Sequence, residues 1–196
     1  SLAAEMRGMS DFLMDIVSGE QYVEELLQLT TEITRTYAVA LLQTGSPATA
    51  FGESLAGPDV VSPDYYRTFG QPYERKVIQE LQKSGYKVAN HICGNVDAIF
   101  DDMLGTEADI LEIDEKTDVA TASAKAAGKT CLLGTLSPTL IRNGTPQEIR
   151  NETVTLIRTV KGNPGFIVGP GCALGGDTPI ENIKMVVDTA KEYGTF

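Results

Sequence analysis

The chain contains a single histidine, His91, and a cysteine lies two residues after it, at Cys93. Both follow the strand-like run 87–90, and at strand spacing residues two apart point to the same side. A second cysteine, Cys172, follows another strand-like run, 165–168. One imidazole and two thiols are ligands that zinc takes in a tetrahedral site, and three protein ligands leave the fourth position for a substrate. These three residues are therefore candidate ligands of a catalytic zinc ion.

The same three residues have a simpler interpretation as core residues. A strand histidine can be a hydrogen-bonded core residue, and free cysteine is among the most buried residue types. Glycines and an asparagine lie next to His91, Cys93 and Cys172, however, and such residues favour turns at the ends of strands. The third cysteine, Cys131, lies inside the strand-like run 130–133 without such neighbours. We expect Cys131 to be a core residue, and it is the alternative ligand if one of the other two cysteines does not bind the metal.

Two carboxylates follow predicted strands and are candidate catalytic residues. Glu53 comes after the run 48–51. It could be a fourth zinc ligand or accept the proton of an incoming thiol. Its alternative is a solvated loop carboxylate. Asp114 ends the run 109–113 and has a similar catalytic interpretation, with a helix cap or a structural hydrogen bond as the alternative.

Strand-like and helix-like segments alternate along the chain. The predicted strands are 48–51, 87–90, 109–113, 130–133 and 165–168. The predicted helices are 18–44, 62–84 with a break or bend near Pro72, 98–104, 119–127, 145–161 and 178–193. Thr145-Pro146-Gln147-Glu148 has the pattern of a capping box, and Thr178-Pro179-Ile180-Glu181 repeats it.

This alternation predicts an α/β protein with a parallel sheet, either a doubly wound sheet or a (β/α)8 TIM-like barrel. The barrel is favoured, because the polar and glycine-rich segments all follow strands, where barrel active sites form. About five βα units are too few for a closed barrel, and the chain begins at Ser1 without methionine. We therefore expect the C-terminal part of a longer protein. An open sheet edge predicts a homo-oligomer or an N-terminal companion fragment.

The composition is that of an ordinary globular protein. With 196 residues and 42% hydrophobic content, we expect a single domain over residues 1–196. The net charge is -11 and no cluster of Lys and Arg is present, which excludes nucleic acid as a partner. No run approaches about 18 apolar residues, and no signal peptide is recognisable. We expect no membrane association and a cytoplasmic location, where thiols stay reduced.

Several motifs, taken in order, resemble one family. They are Ser62-Pro63 with Pro72-Tyr73, then His91-Ile92-Cys93-Gly94-Asn95, and then Gly169-Pro170-Gly171-Cys172-Ala173-Leu174 with Asp177-Thr178-Pro179-Ile180-Glu181-Asn182-Ile183. The opening residues 2–9 and 12–14 add to the likeness. Together they resemble the methylcobamide:coenzyme M methyltransferases of the uroporphyrinogen decarboxylase superfamily, over nearly the whole chain.

The resemblance implies an eight-stranded (β/α) barrel in which His91, Cys93 and Cys172 bind zinc. It also implies that zinc lowers the pKa of a small thiol acceptor such as coenzyme M. The resulting thiolate would attack the methyl group of a methyl-corrinoid, which usually arrives on a separate corrinoid protein. Three residues beside the strand ends are expected to contact the cofactor, namely Asn95, Gly134 and Gly171.

Other functions remain open from the sequence. A member of the superfamily that uses another methyl donor or acceptor, such as tetrahydrofolate, is one alternative. A non-catalytic fragment or scaffold with buried cysteines is another. The true decarboxylases carry a histidine-bearing glycine loop where this chain has Gly171-Cys172, and His91 is the single histidine. We therefore do not expect decarboxylase activity.

Overall fold

The structure, a computed structural model, describes residues 1–161, 163 and 165–194. At its centre is a parallel sheet in which each strand pairs with the next one along the chain. The strands are β1 (Ala48–Gly52), β2 (Lys87–Ile92), β3 (Ile110–Ile113), β4 (Cys131–Leu136) and β5 (Phe166–Pro170). Each lies within a few residues of a predicted strand, because each is a short apolar run bounded by turn-forming residues.

The order of the strands decides between the two predicted α/β folds. A doubly wound sheet reverses its strand order at a switch point, whereas a barrel adds each strand beside the previous one. The order here is β1-β2-β3-β4-β5, without a reversal in the described part of the chain. The prediction of an α/β protein with the strand arrangement of a (β/α)8 barrel is therefore confirmed.

The strand register divides the sheet into two faces. One row of paired residues faces the helices and the core, and it consists of Phe51, Asn90, Leu111, Leu132 and Phe166. The next row points to the opposite side, which we call the open face, and it consists of Gly52, His91, Glu112, Leu133 and Ile167. Its outermost residues, Gly52 and Ile167, are exposed. The candidate histidine thus lies on the open face.

Helices precede the sheet and connect its strands. They are α1 (Leu2–Arg7), α2 (Met9–Ser18), α3 (Tyr22–Leu42), α4 (Pro63–Phe69), α5 (Gln71–Lys83), α6 (Phe100–Leu104), α7 (Val119–Ala126), α8 (Pro138–Asn143), α9 (Pro146–Thr159) and α10 (Ile180–Tyr193), with a 3-10 turn at Asp97–Ile99. Among the described residues, no helix combines the length and the apolar character needed to cross a lipid bilayer.

The largest core cluster supports the strands that carry the candidate site. It joins α3 and α5 to β2 and β3 through apolar residues that are almost fully buried, such as Leu42, Ile78, Ile92 and Ile113. A second cluster packs α8, α9 and α10 against β4 and β5. Since well-packed interiors resist deformation, the strand ends present their side chains in defined positions.

Some of the predicted helix boundaries are wrong. The first predicted helix begins at Tyr22 rather than near Ser18, and α1, α2 and α8 were not predicted. α1 and α8 have six residues each, too few to show an apolar period. α2 has ten residues and buries Phe12 and Ile16 at helical spacing, which was a usable signal. The predicted break near Pro72 in the helix 62–84 is confirmed, because two helices meet at Gly70 and Pro72 lies in the first turn of the second.

The two predicted caps have different outcomes. At α9, Thr145 Oγ1 accepts from the Glu148 N–H and the Glu148 carboxylate accepts from the Thr145 N–H, so the capping box is confirmed. At α10 the residue in the N-cap position is Pro179, and the Thr178 hydroxyl donates to the Gly175 carbonyl oxygen instead. The predicted cap at Thr178 is therefore wrong.

Candidate metal centre

His91, Cys93 and Cys172 lie together at the carboxyl end of the sheet. His91 is the penultimate residue of β2, Cys93 directly follows that strand, and Cys172 comes shortly after β5. The His91 Nε2 atom is 3.1 Å from Cys93 Sγ, and Cys93 Sγ is 3.7 Å from Cys172 Sγ. The ligand atoms of all three residues lie within 4.8 Å of one another. The fold thus juxtaposes thiols that are 79 positions apart in the sequence.

The imidazole of His91 has a defined orientation. Its Nδ1 atom lies 3.1 Å from the main-chain carbonyl oxygen of Glu112, the residue that pairs with His91 on β3. A carbonyl oxygen only accepts hydrogen bonds, so this contact places the proton of the neutral ring on Nδ1. Nε2 then carries the lone pair and points towards the two sulfur atoms. Metal-binding histidines commonly have this second hydrogen bond.

The two thiols are partly buried and lie beside several polar groups. Cys93 Sγ is 3.4 Å from the hydroxyl of Ser54, in the loop after β1. Burial raises the pKa of the Cys172 thiol, and the neighbouring Cys93 sulfur and Asp114 carboxylate raise it further, although the Ala173 N–H lowers it. Without a cation, the surroundings of Cys172 favour the neutral thiol.

The donor set fits zinc. In a tetrahedral site with Zn–S bonds of about 2.3 Å, two sulfur ligands lie about 3.8 Å apart, and the observed Sγ–Sγ distance is 3.7 Å. The Nε2–Sγ distance of 3.1 Å is shorter than the corresponding edge of about 3.6 Å. Imidazole with two thiolates suits zinc much better than magnesium or calcium, which prefer oxygen ligands. Three protein ligands leave one position for another molecule.

Asp114 lies beside this cluster and is nearly buried. Its carboxylate accepts hydrogen bonds from the Gly94 and Lys116 N–H groups, at 3.0 Å and 3.1 Å. Burial opposes the charged form, but these hydrogen bonds among others lower the pKa of Asp114 below its ordinary value. Asp114 is therefore an ionised acceptor of backbone hydrogen bonds.

Glu53 does not join the His91, Cys93 and Cys172 cluster in the described part of the chain. Its carboxylate forms an ion pair with the amino group of Ser1. The Glu53 N–H donates to the His91 carbonyl oxygen at 2.8 Å, which extends the pairing of β1 with β2. The residue whose side chain reaches Cys93 is the next one, Ser54.

The three expected cofactor residues have distinct surroundings. Asn95 is exposed, and its side-chain oxygen accepts from the Asp97 N–H at 2.9 Å. Gly134 is buried in β4, where a Cβ atom would collide with the Ile113 carbonyl oxygen. Gly171 lies next to Cys172, and a Cβ atom there would be 2.7 Å from the main-chain nitrogen of Glu115. Asn95 and Gly171 thus lie near the cluster, and Gly134 lies where two strands approach closely.

Cys131 lies away from the cluster. It is the first residue of β4 and pairs with Ile110, the first residue of β3, so it belongs to the amino end of the sheet. Burial raises the pKa of its thiol. The parallel strand direction places the candidate ligands at the opposite end, which leaves Cys131 without a part in the cluster.

Sequence reasoning missed two neighbours of the candidate ligands. Glu112 supplies the carbonyl oxygen for His91 Nδ1, and its carboxylate is 3.9 Å from the same nitrogen. A lone carboxylate in the apolar run Ile110-Leu111-Glu112-Ile113 was a signal that could have identified it. Ser54 had no comparable signal, because a serine in a loop is common.

The fold and the position of the cluster define the class of the protein. Parallel strands in chain order, with functional side chains at their carboxyl ends, are the arrangement of (β/α)8-barrel proteins. The chain belongs to the uroporphyrinogen decarboxylase family, because the model of that family, Uroporphyrinogen decarboxylase (URO-D), matches residues 1–193. The resemblance to this superfamily that the motifs indicated is confirmed.

Within this family, the chain is similar to several methyltransferases. The chain is 26% identical over 194 residues to methylcobamide:CoM methyltransferase MtbA of Methanosarcina acetivorans. It is 30% identical over 200 residues to methylcobamide:CoM methyltransferase MtaA of Methanosarcina barkeri. Each alignment covers 98% of this chain and 56% of the relative, so the chain spans about half the length of these proteins. Uroporphyrinogen decarboxylases are also among the relatives.

A solved structure has the same fold. It is a methyltransferase from Methanosarcina mazei, with a TM-score of 0.89 and 25% sequence identity. The match covers 98% of this chain and 56% of that chain.

Proposed function

We propose that this chain carries the zinc site of a methyltransferase that moves a methyl group from a methyl-corrinoid to a thiol such as coenzyme M. The observation that carries the proposal is the close approach of His91 Nε2 to the sulfur atoms of Cys93 and Cys172. The methyltransferase relatives support this choice of reaction.

In this proposal the three side chains bind the zinc ion. His91 presents Nε2, because Nδ1 donates to the Glu112 carbonyl oxygen. Cys93 and Cys172 supply thiolates from the loops after β2 and β5. When bound, zinc lowers the pKa of a thiol at its remaining position, so that a thiolate is present at neutral pH.

The methyl transfer is balanced in bonds and electrons. The acceptor thiol loses its proton, and its sulfur forms a bond to the methyl carbon. The cobalt–carbon bond breaks at the same time, and its electron pair remains on the corrinoid. We propose Glu53 as the proton acceptor, since its main chain is bonded to His91. In this role its carboxylate leaves the ion pair with the Ser1 amino group and turns towards the site. The methyl-corrinoid would arrive on a separate corrinoid protein.

Metal content is the first test, because it needs neither a substrate nor the rest of a longer protein. The protein is purified under reducing conditions, supplied with zinc and measured by mass spectrometry, beside Cys172→Ala. We expect about one zinc ion per chain in the wild type and loss of that ion in the variant, since three protein ligands complete the site.

Cys131→Ala is the matched control, because Cys131 is also partly buried but lies at the other end of the sheet. It should keep its zinc. A wild-type protein that binds no zinc, or an equal loss in both variants, would contradict the zinc site.

Decarboxylation is the second candidate, because uroporphyrinogen decarboxylases are among the relatives. The pair of thiols beside an imidazole favours methyl transfer, since this donor set binds a thiol-activating metal. The two reactions separate in parallel assays of one preparation. The first supplies methylcobalamin with coenzyme M, other thiols or tetrahydrofolate, and the second supplies uroporphyrinogen. Carbon dioxide release without any methylated acceptor would reverse the choice.

A further inference from the structure

One loop contacts both segments that carry the candidate sulfur ligands. It begins at Asp114, directly after β3, and Asp114 is only 7% exposed. Asp114 Oδ2 accepts from the Gly94 N–H at 3.0 Å, and Oδ1 accepts from the Lys116 N–H at 3.1 Å. Gly94 directly follows Cys93, so one carboxylate joins the Cys93 segment to the loop and orders the loop itself.

Thr117 strengthens the same connection. Its hydroxyl donates to the Gly94 carbonyl oxygen at 3.3 Å and accepts from the Val96 N–H at 3.2 Å. Its own N–H donates to the Asp114 carbonyl oxygen at 3.1 Å. Both polar main-chain groups of Gly94 are therefore bonded to the loop that Asp114 begins.

The Cys172 segment lies against this loop through Gly171. The Gly171 N–H donates to the Leu136 carbonyl oxygen at 2.8 Å, at the end of β4. A Cβ atom on Gly171 would lie 2.7 Å from the Glu115 nitrogen and 3.0 Å from Asp114 Cα. Such distances leave no room for a side chain, so the backbone before Cys172 packs directly on residues 114–115.

We propose that Asp114 is a positioning residue that sets the separation of the Cys93 and Cys172 sulfur atoms. The inference rests on the proposed function, because it concerns the same site. Asp114 acts through Gly94 and through the packing of Gly171 on its own backbone, and it does not bind the metal. When Asp114 loses its carboxylate, the buried Gly94 N–H has no acceptor. The loop that spaces the two cysteines then relaxes.

The separation of two thiols is measurable without any metal. Phenylarsine oxide bonds to two thiols held close together and releases water, and it serves as the probe on chelator-treated protein. All variants carry Cys131→Ala, so that Cys93 and Cys172 are the thiols available. We expect Asp114→Ala to lower the affinity for phenylarsine oxide by about tenfold or more, the size typical of a lost outer-shell contact. Asp114→Asn keeps one acceptor and should lie between Asp114→Ala and the wild type.

Asp109 provides the matched control at the other end of β3. Its carboxylate accepts from the Val88 N–H at 3.1 Å, so it also joins β3 to the backbone of β2. Asp109→Ala should cost stability and leave the affinity for phenylarsine oxide unchanged. An equal loss in Asp109→Ala, no loss in Asp114→Ala, or no binding by the parent protein would overturn the positioning role.

Cobalt(II) gives a second measurement and separates this inference from the proposed function. We expect Asp114→Ala to bind cobalt about 10- to 100-fold more weakly, with weaker thiolate-to-cobalt absorption per bound ion. A general loss of stability would not change that absorption in the folded fraction. If the parent protein binds phenylarsine oxide but neither zinc nor cobalt, the proposed function fails and the positioning role of Asp114 stands.

Discussion

Glu74 is a buried carboxyl group on the side of the sheet opposite the candidate metal centre. It is 4% exposed, and its Oε2 atom accepts from the Tyr66 hydroxyl at 2.8 Å and from Asn90 Nδ2 at 2.9 Å. Burial raises the pKa of Glu74 to about 7, against the opposing effect of the Tyr66 hydrogen bond, and the Glu53 carboxylate adds to the rise. Its Oε1 atom has no hydrogen-bond partner among the described residues, and a proton there would make that atom a donor.

This residue makes the stability of the fold depend on pH. The folded state binds the Glu74 proton more tightly than the unfolded state does. The contribution of protonated Glu74 to the free energy of unfolding is therefore complete below pH 4.5 and is lost as the pH rises through about 7. Glu74→Gln keeps the shape without the charge. We expect the free energy of unfolding of the variant, relative to the wild type, to rise between pH 5 and pH 8 by on the order of 3 kcal/mol.

Urea unfolding at the two pH values measures this difference. Glu152→Gln on α9 is the matched control, because Glu152 is exposed and its replacement should give the same difference at both pH values. A Glu74→Gln variant with a difference that does not change with pH would show that Glu74 is ionised in the folded protein throughout the range.

At the scale of the elements, two identical cap patterns precede two helices of equal length. Thr-Pro-x-Glu stands before both α9 and α10, and each helix has 14 residues. Only Thr145 caps its helix. Before α10, the Thr178 N–H donates to the Gly175 carbonyl oxygen and Asp177 forms an ion pair with Arg142. These contacts place Thr178 in a turn, one residue before the N-cap position.

The difference predicts unequal effects of the same substitution. Thr145→Ala removes an oxygen that accepts from the first turn of α9, and we expect a loss of about 1 kcal/mol in the free energy of unfolding. Thr178→Ala removes one hydroxyl bond at an exposed turn and should cost less than about 0.5 kcal/mol. Chemical denaturation of both variants checks the comparison, and equal losses would mean that Thr178 also caps its helix in solution.

At the scale of the whole molecule, the open face of the sheet contains exposed positions from the first strand to the last. Ala50 and Gly52 of β1 are exposed, and Ile167 of β5 is 43% exposed. In the described part of the chain, β1 and β5 each pair with one neighbour, so each has an edge that can accept another strand. The relatives extend well beyond the matched region, since the chain covers 56% of their length. The sequence predicts a partner for such an open sheet, and self-association is the form of pairing that this chain can show without another protein.

We expect a species heavier than the 21.0 kDa chain in light scattering, formed by a second copy on the open face. The net charge of -11 opposes association, so association should strengthen as salt screens that charge. Ile167→Lys should shift the protein towards the monomer. Val187→Lys is the control, because Val187 is 44% exposed on α10, away from the sheet. A monomer at every salt concentration would contradict the prediction.

The sequence by itself determined the number and order of the five strands and placed each of them to within a few residues. Apolar runs bounded by glycine, proline and asparagine identified all five strands, since strand formation depends on local pattern. Chain order then placed His91, Cys93 and Cys172 at the carboxyl ends of strands. The sequence did not predict short helices such as α8, nor did it show that the second cap pattern would fail. Tertiary contacts compete with the start of a helix, and neighbouring residues do not determine those contacts.

Only the tertiary structure decided which of these groups meet. The 3.7 Å between the sulfur atoms of Cys93 and Cys172 depends on how the sheet places the loops after β2 and β5 and on the packing of Gly171 against residues 114–115. Local spacing in the sequence encodes neither. The parallel strand direction places Cys131 at the amino end of β4, away from the other two cysteines. Ser54 and the Glu112 carbonyl oxygen reach the site through strand register. Long-range distances of this kind arise from the whole core, so no short segment of the sequence contains them.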